Sequence, residues 1–401
     1  MDYTHVQIVC NLEKVAKGEI LIVAGEISGD LHGAELVKNF LKLSSDYCFF
    51  GAGGELMKSE GVELLSHVND LAVMGFSGIP KILPTLKALK RNILNRVRKN
   101  PVNLAILVDY PGFNLNLAKA LKQLPNPPKI LEYIAPQVWA WRANRTRKIL
   151  SYIDHLAVVF PFEERLFKAA NVPVTFVGHP LLDELNLPTV QLKDTNDPKS
   201  AILSSDVDEP IQNPILALLP GSRKTVAVKH LPIMIESAKL LINEFPNIRF
   251  CIGCAPGLRQ HLEGLIHGQP IKYELWDDSR KLLSEATAAV VCSGTATLET
   301  ALIGTPQVIV YKTSSINYAV IKKLIKLPYV GLVNIVAEDK IITELLQDEF
   351  NPVALYRAIA PMIRCQIIRD HAKSKMMQVR NKLGEPGASR RVAELAYQMI
   401  K

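Results

Sequence analysis

The sequence predicts an α/β protein of two doubly wound domains facing a cleft, each built on a mostly parallel sheet. Three observations carry that expectation. Short apolar runs of strand length recur with amphipathic helical stretches between them, as parallel βα units require. The chain has 401 residues, more than the roughly 300 at which a single hydrophobic core stops growing. Between 184 and 213 the pattern fails, where Pro188, Asp194, Asn196, Asp197, Pro198, Ser204, Ser205, Asp206, Asp208 and Pro210 break any long period. The expected domains are 1–185 and 214–365, joined by a linker region over 186–213. Terminal helices over 366–401 are expected to follow, free to pack back on the first domain.

In the first domain the strand candidates are Ile20–Ala24, Cys48–Phe50, Leu104–Val108, Lys129–Tyr133, Leu156–Phe160 and Val174–Val177. Gly25-Glu-Ile-Ser-Gly-Asp30 follows the first and Gly51-Ala-Gly-Gly54 the second. The glycines imply tight turns facing the cleft. Neither loop completes GxGxxG, since Leu56 stands at the last position of the second, which argues against a nicotinamide or flavin dinucleotide. Asp30 reads as the cap of its own helix. Asp109 ends an apolar strand, with Pro111 and Gly112 shaping the turn; there a carboxylate is either a turn residue or, if desolvated, a general base.

The second domain repeats the pattern with Ile215–Leu219, Ile248–Ile252, Ala288–Cys292 and Val308–Tyr311. After the third of these comes Ser293-Gly-Thr-Ala-Thr-Leu-Glu299. Small residues opening a helix expose unpaired N–H groups to an anion, and the helix dipole adds to the attraction. Glu299, one turn in, is placed to accept from ribose hydroxyls; the alternative is an ordinary cap followed by a surface Glu. Leu219-Pro-Gly-Ser-Arg223 supplies a second phosphate-suited loop: Gly221 admits close backbone approach, and the Arg223 fork can hold phosphate oxygens. Past Asp339 the pattern reads as helical to the end.

Composition narrows the class. Hydrophobic residues at 48% and charged residues at 21% belong to a folded globular protein and exclude a mostly disordered one. Lys and Arg total 47 against 39 acidic residues, a net +8 that favours phosphates, nucleic acid or acidic lipid. The cysteines at 10, 48, 251, 254, 292 and 365 lie mostly in apolar runs, as reduced core thiols do, so no disulfide is expected. Cys251-Ile-Gly-Cys254 has metal-site spacing without a second pair and continues a strand, so no metal is assigned. The N-terminus lacks the basic start and apolar core of a signal peptide, and no apolar run approaches the ~20 residues of a spanning helix. A cytoplasmic location follows as the expectation.

Seven segments together carry a family resemblance: Gly25–Asp30, Leu71-Ala-Val-Met-Gly75, Asp109-Tyr-Pro-Gly-Phe-Asn114, Ala135-Pro-Gln-Val-Trp-Ala-Trp141, Val177-Gly-His-Pro180, Leu219–Arg223 and Ser293–Glu299. In order and content the chain resembles the lipid-A-disaccharide synthase family from Glu19 onward. The resemblance implies a GT-B fold of two Rossmann-like domains. The first would be the acceptor and membrane-facing domain, the second the UDP-sugar domain. It also implies inverting transfer from UDP-2,3-diacylglucosamine to 2,3-diacylglucosamine 1-phosphate, lipid X, without cofactor or metal. Residue by residue, Asp109 falls on the essential aspartate and Glu26 on an acidic residue of the first domain. Gly221, Ser222, Arg223, Ser293, Gly294, Thr295, Glu299 and Asn334 fall on the nucleotide site. The chain departs from the family pattern at Val333, at Glu338-Asp339-Lys340 and at Val226, which bear on nucleotide affinity or acceptor alignment.

Lipid substrates require a reach to the bilayer. From Leu71 to Val108 there is no acidic residue, and Met74, Phe76, Ile79, Ile82 and Leu83 stand beside Lys81, Lys87, Lys90 and Arg91. That stretch is expected to meet anionic lipid on the cytoplasmic face of the inner membrane; the alternative is a core-facing helix with a solvated basic face. Two other functions compete: a UDP-sugar 2-epimerase or soluble-acceptor transferase of the same fold, and a basic nucleic-acid-binding protein. The second lacks an aromatic-basic stacking motif, so no nucleic-acid partner is expected.

Overall fold

This computed structural model describes residues 17–71, 79–136, 151–185, 211–314 and 329–401. The chain forms two compact units, Met1–Glu184 with Glu385–Lys401, and Leu185–Gly384. The first runs β1 (Gly18–Ala24), α1 (Ile27–Leu43), β2 (Tyr47–Gly53), α2 (Glu55–Ser59), β3 (Glu63–His67), α3 (Val68–Leu71), α4 (Ile79–Lys99), β4 (Leu104–Val108), α5 (Pro111–Leu121), β5 (Lys129–Tyr133), β6 (His155–Val158), α6 (Pro161–Ala169), β7 (Val174–Phe176) and α7 (Leu181–Glu184). The second runs β8 (Ile215–Leu219), α8 (Lys224–Glu244), β9 (Arg249–Gly253), α9 (Arg259–Ile266), β10 (Tyr273–Trp276), α10 (Ser279–Glu285), β11 (Ala288–Cys292), α11 (Thr295–Ile303), β12 (Gln307–Tyr311), α12 (Leu332–Ala337), β13 (Glu344–Leu346), α13 (Pro352–Arg364) and α14 (Gln366–Lys382). The last helix, α15 (Ala388–Ile400), returns to the first unit.

The first sheet has strand order β3-β2-β1-β4-β5-β6-β7 and the second β10-β9-β8-β11-β12-β13. Every pairing is parallel. The order reverses between β1 and β4 in one sheet and between β8 and β11 in the other. A parallel sheet opens a crevice at the carboxyl ends of its strands where this reversal occurs. The two switch points therefore single out the loops after Ala24 and Val108, and those after Leu219 and Cys292.

Strands covered on both faces must be apolar throughout. β4 and β11 are buried at every position. In the first unit Leu89, Ile93 and Val97 of α4 and Leu117 and Leu121 of α5 pack on one core with Leu21, Val23, Ala105 and Leu107. On α15, Ala388, Val392, Ala393 and Ala396 are buried, and Tyr397 meets Phe40 of α1 edge-on at 5.9 Å. Gly387, at φ +101°, makes the left-handed turn into the helix, where a Cβ would be strained. Arg391 then donates through Nε to the Val177 carbonyl at 2.7 Å.

Three expectations need correction. The second unit runs past the expected bound at 365: α14 stays with it, and of the helices over 366–401 only α15 packs back on the first unit. The segment past Asp339 is not wholly helical, because Glu344–Leu346 pairs with β12. The edge strands β3 and β10 were not expected either. Both are half-exposed along most of their length, so they lack the continuous apolar run that marked their neighbours. The side chains of Cys251, on β9, and Cys254, just past its end, enter different cores.

Candidate active site

At the first switch point the chain is bent sharply. Asp109 and Tyr110 both adopt left-handed backbone, at φ +48° and +52°, a conformation that costs non-glycine residues roughly 1 kcal/mol or more each. The surroundings hold them there. The Asp109 N–H donates to the Tyr133 carbonyl at 2.9 Å, and the fully buried Asn114 donates from Nδ2 to the Asp109 carbonyl at 2.6 Å. Tyr110 donates its hydroxyl to the Leu71 carbonyl at 3.1 Å. Its ring lies where a Cβ on Gly25 would come within 2.2 Å, so the loops after β1 and β4 abut and only glycine fits at 25.

The bend leaves the Asp109 carboxyl half-buried. Burial raises its pKa above the ordinary 3.8, the nearby Glu26 carboxylate raises it further, and the Tyr110 N–H acts in the opposite direction. Glu26 opens α1 in extended backbone without capping it by side chain, so its carboxylate is not spent on the helix end. One carboxyl that sequence reasoning missed lies beside them. Glu132, on β5 in register with Leu107, is fully buried, and neither carboxyl oxygen has a hydrogen-bond partner. Burial and then Asp109 push its pKa well up.

Asp30 is a capping residue, but of the next helix rather than its own. Its carboxylate accepts from the N–H groups of Gly54 at 2.6 Å and of Leu56 and Met57 at 3.1 Å, closing the start of α2. The turn at Gly51–Gly54 is tight, and the Asp30 carboxylate fills it. A Cβ on Gly51 would fall 1.8 Å from the Ile22 carbonyl oxygen, and one on Gly54 would strike the Asp30 carboxylate at 2.5 Å. These glycines serve close packing.

In the second unit, the loops after β8 and β11 enclose a cavity of about 510 Å³ lined by Gly221, Ser222, Arg223, Ser293, Gly294, Thr295, Ala296, Glu299 and Tyr311, among others. Gly221 at φ +115° and Gly294 at φ +153° hold backbone that a side chain would strain. Gly294 precedes α11 with no side chain capping the helix, so the first turn presents N–H groups and the positive end of the dipole to the cavity. Arg223 is exposed at the start of α8. Glu299 accepts from Arg280 Nε at 2.6 Å, which orients its carboxylate on the cavity wall. The set suits a diphosphate with hydroxyls attached.

Asn334 does not line this cavity. It is fully buried and spends its amide internally: Nδ2 donates to the Ile342 carbonyl and to Glu344 at 2.8 Å, and Oδ1 accepts from the Ile341 and Ile342 N–H groups. Glu344 also accepts from the Val330 and Gly331 N–H groups, while Ser293 donates to the Val330 carbonyl at 3.2 Å. Asn334 thus supports the cradle from behind, through Val330 and Ser293.

The basic stretch is also corrected in part. Ile82 is buried, and Leu89, Ile93 and Val97 face the core, so most of the α4 apolar stripe is unavailable to lipid. Leu83 remains exposed, as do Lys87 and Arg91, with Lys90 half-buried. Met74 and Phe76, and the side chains of Ile79 and Lys81, lie outside the described residues. Among the described residues no helix is long and apolar enough to cross a membrane.

A family model described as lipid-A-disaccharide synthetase matches residues 20–399. Lipid-A-disaccharide synthases of Geobacter metallireducens and Coxiella burnetii are similar at 37% identity over 394 residues and 36% over 381, covering 95% of this chain and 97% and 98% of theirs. Among solved structures, a UDP-GlcNAc 2-epimerase from Neisseria meningitidis bound to UDP-GlcNAc superposes with a TM-score of 0.56 at 12% identity, covering 95% of this chain and all of that one (100%). The calicheamicin glycosyltransferase does so with 0.56 at 15%, covering 95% and 98%. At such identities these two establish the fold alone.

Proposed function

The chain belongs to the lipid-A-disaccharide synthase family, and on that premise we propose how its two switch points divide the reaction. The enzyme joins UDP-2,3-diacylglucosamine to 2,3-diacylglucosamine 1-phosphate, giving lipid A disaccharide 1-phosphate and UDP. Asp109 takes the proton of the acceptor 6-hydroxyl as that oxygen attacks the anomeric carbon opposite the departing UDP, so configuration inverts. A base works best with its pKa near the operating pH, and the half-buried carboxyl beside Glu26 is moved in that direction. This observation carries the assignment.

The departing diphosphate gains charge in the transition state. Arg223 and the N–H groups of Gly294 and Thr295 at the start of α11 neutralise it with preorganised donors, the task a divalent metal performs elsewhere, while Ser293 sets the turn before them through its bonds to Val310 and Val330. Gly221 and Ser222 bring backbone to the phosphates and Glu299 takes the ribose hydroxyls. The exposed Leu83, Lys87 and Arg91 edge of α4 meets anionic lipid peripherally, where both substrates reside.

The decisive experiment is UDP release from diacylated UDP-glucosamine, with and without the lipid monosaccharide phosphate and with a chelator. Release that needs both lipids and ignores the chelator is the expected result. Release without the acceptor would overturn the transfer mechanism, and loss on chelation would overturn the metal-free one.

A further inference from the structure

His230 lies in the second turn of α8 and is wholly shielded from solvent. Its imidazole bonds at both ends. Nδ1 stands 3.1 Å from the Pro220 carbonyl, and Nε2 accepts from the Lys312 N–H at 2.9 Å. A carbonyl can only accept, so the proton sits on Nδ1 and the ring is neutral. Pro220 leads into Gly221-Ser222-Arg223 after β8, and Lys312 follows Tyr311 at the end of β12. β8 and β12 are not neighbours: they flank β11, whose end is the floor of the cavity. The imidazole therefore ties together the two walls on either side of Ser293 and Gly294. Tyr311 and Phe350 hold the ring edge-on, with centroids at 5.9 and 5.4 Å.

We propose that His230 is the positioning residue of the sugar-nucleotide cradle, a neutral imidazole that staples the Pro220–Arg223 loop to the Tyr311–Lys312 strand end. It touches no substrate and acts through the two loops; the inference rests on the nucleotide reading above. Protonation would undo the staple on one side, because Nε2 would become a donor and turn from the Lys312 N–H to the Lys312 carbonyl, 3.2 Å away. Burial, and the cations Lys229 on its own helix and Lys312 just past β12, oppose that protonation, while the Lys312 and Pro220 carbonyls favour it; burial is the largest influence and the pKa lies below 6.5.

The test is UDP affinity by calorimetry in the full-length enzyme, for the wild type, His230→Asn, His230→Gln and Leu241→Val. Asn keeps a donor for Pro220 and Gln an acceptor for Lys312, so each breaks one half of the staple. Each is expected to bind UDP about tenfold more weakly, the loss of roughly one well-placed hydrogen bond, with the donor KM raised and kcat nearly kept. Leu241→Val loosens the same core on the same helix, far from the ring, and should stay within about twofold of the wild type. Unchanged UDP affinity in both His230 variants, or an equal loss in Leu241→Val, would overturn the staple. A wild type that does not bind UDP would take the nucleotide reading down with it.

Discussion

Two consecutive left-handed residues at a strand end are costly, and at Asp109 and Tyr110 the cost is met by Asn114, Leu71 and the bare face of Gly25. Replacing Asp109 by Asn keeps size and backbone and removes only the base. Turnover should drop about 10²–10⁴-fold with UDP affinity nearly unchanged, and unchanged turnover would sink the assignment. The acid limb of kcat/KM in the wild type should lie above 3.8, since burial and Glu26 raise the Asp109 pKa, and it should be absent in Asp109→Asn. Asp109 was legible because a carboxylate closing an apolar run is conspicuous. Glu132 was not, because a charge inside a strand reads as an exposed position until burial is known. Its folded pKa is raised above the unfolded 4.5, so the folded chain holds a proton that the unfolded chain has lost. Stability should therefore decline as pH rises from 4.5 toward the folded value, by up to about 1.4 kcal/mol per pH unit. Glu132→Gln should flatten that decline in urea midpoints measured from pH 5 to 8; an identical slope would show that Glu132 ionises freely in the fold.

At the scale of elements, period and charge tell that a helix forms but not which way it faces. α4 shows this. Its Leu89, Ile93 and Val97 stripe serves the core, and a membrane role falls to the exposed edge of Leu83, Lys87 and Arg91. Each basic side chain near an anionic surface contributes about 1 kcal/mol. Lys87→Glu with Arg91→Glu should thus lower flotation with acidic liposomes more than tenfold at low salt while leaving the fold intact, since neither side chain is in the core. Flotation equal to wild type, or wild-type binding indifferent to salt, would return α4 to a purely structural role. Strands obeyed the same limit. Those covered on both faces announced themselves as apolar runs, whereas β3, β10 and β13 at the sheet edges carry mixed residues and were recognisable only by their pairing.

For the whole molecule, the two parallel sheets and the break near 184–213 followed from periodicity, and a terminal helix packing back on the first unit was expected, but not which helix, because nothing in Ala388–Ile400 names the surface its buried face will meet. The division has a thermodynamic consequence. Each unit has its own core, and the cavity suited to a nucleotide is built entirely from the second. A ligand that binds only the folded form stabilises it by RT ln(1 + [L]/Kd), about 2.7 kcal/mol at a hundredfold excess over Kd. UDP alone should consequently slow amide hydrogen exchange around Gly221–Arg223 and Ser293–Ala296, and in β8 and β11 behind them. The loop at Asp109 has no part in holding the nucleotide and should exchange as before, becoming protected only when the lipid acceptor is added. Protection by UDP that appeared first at Asp109 would mean that the donor site had been assigned to the wrong sheet.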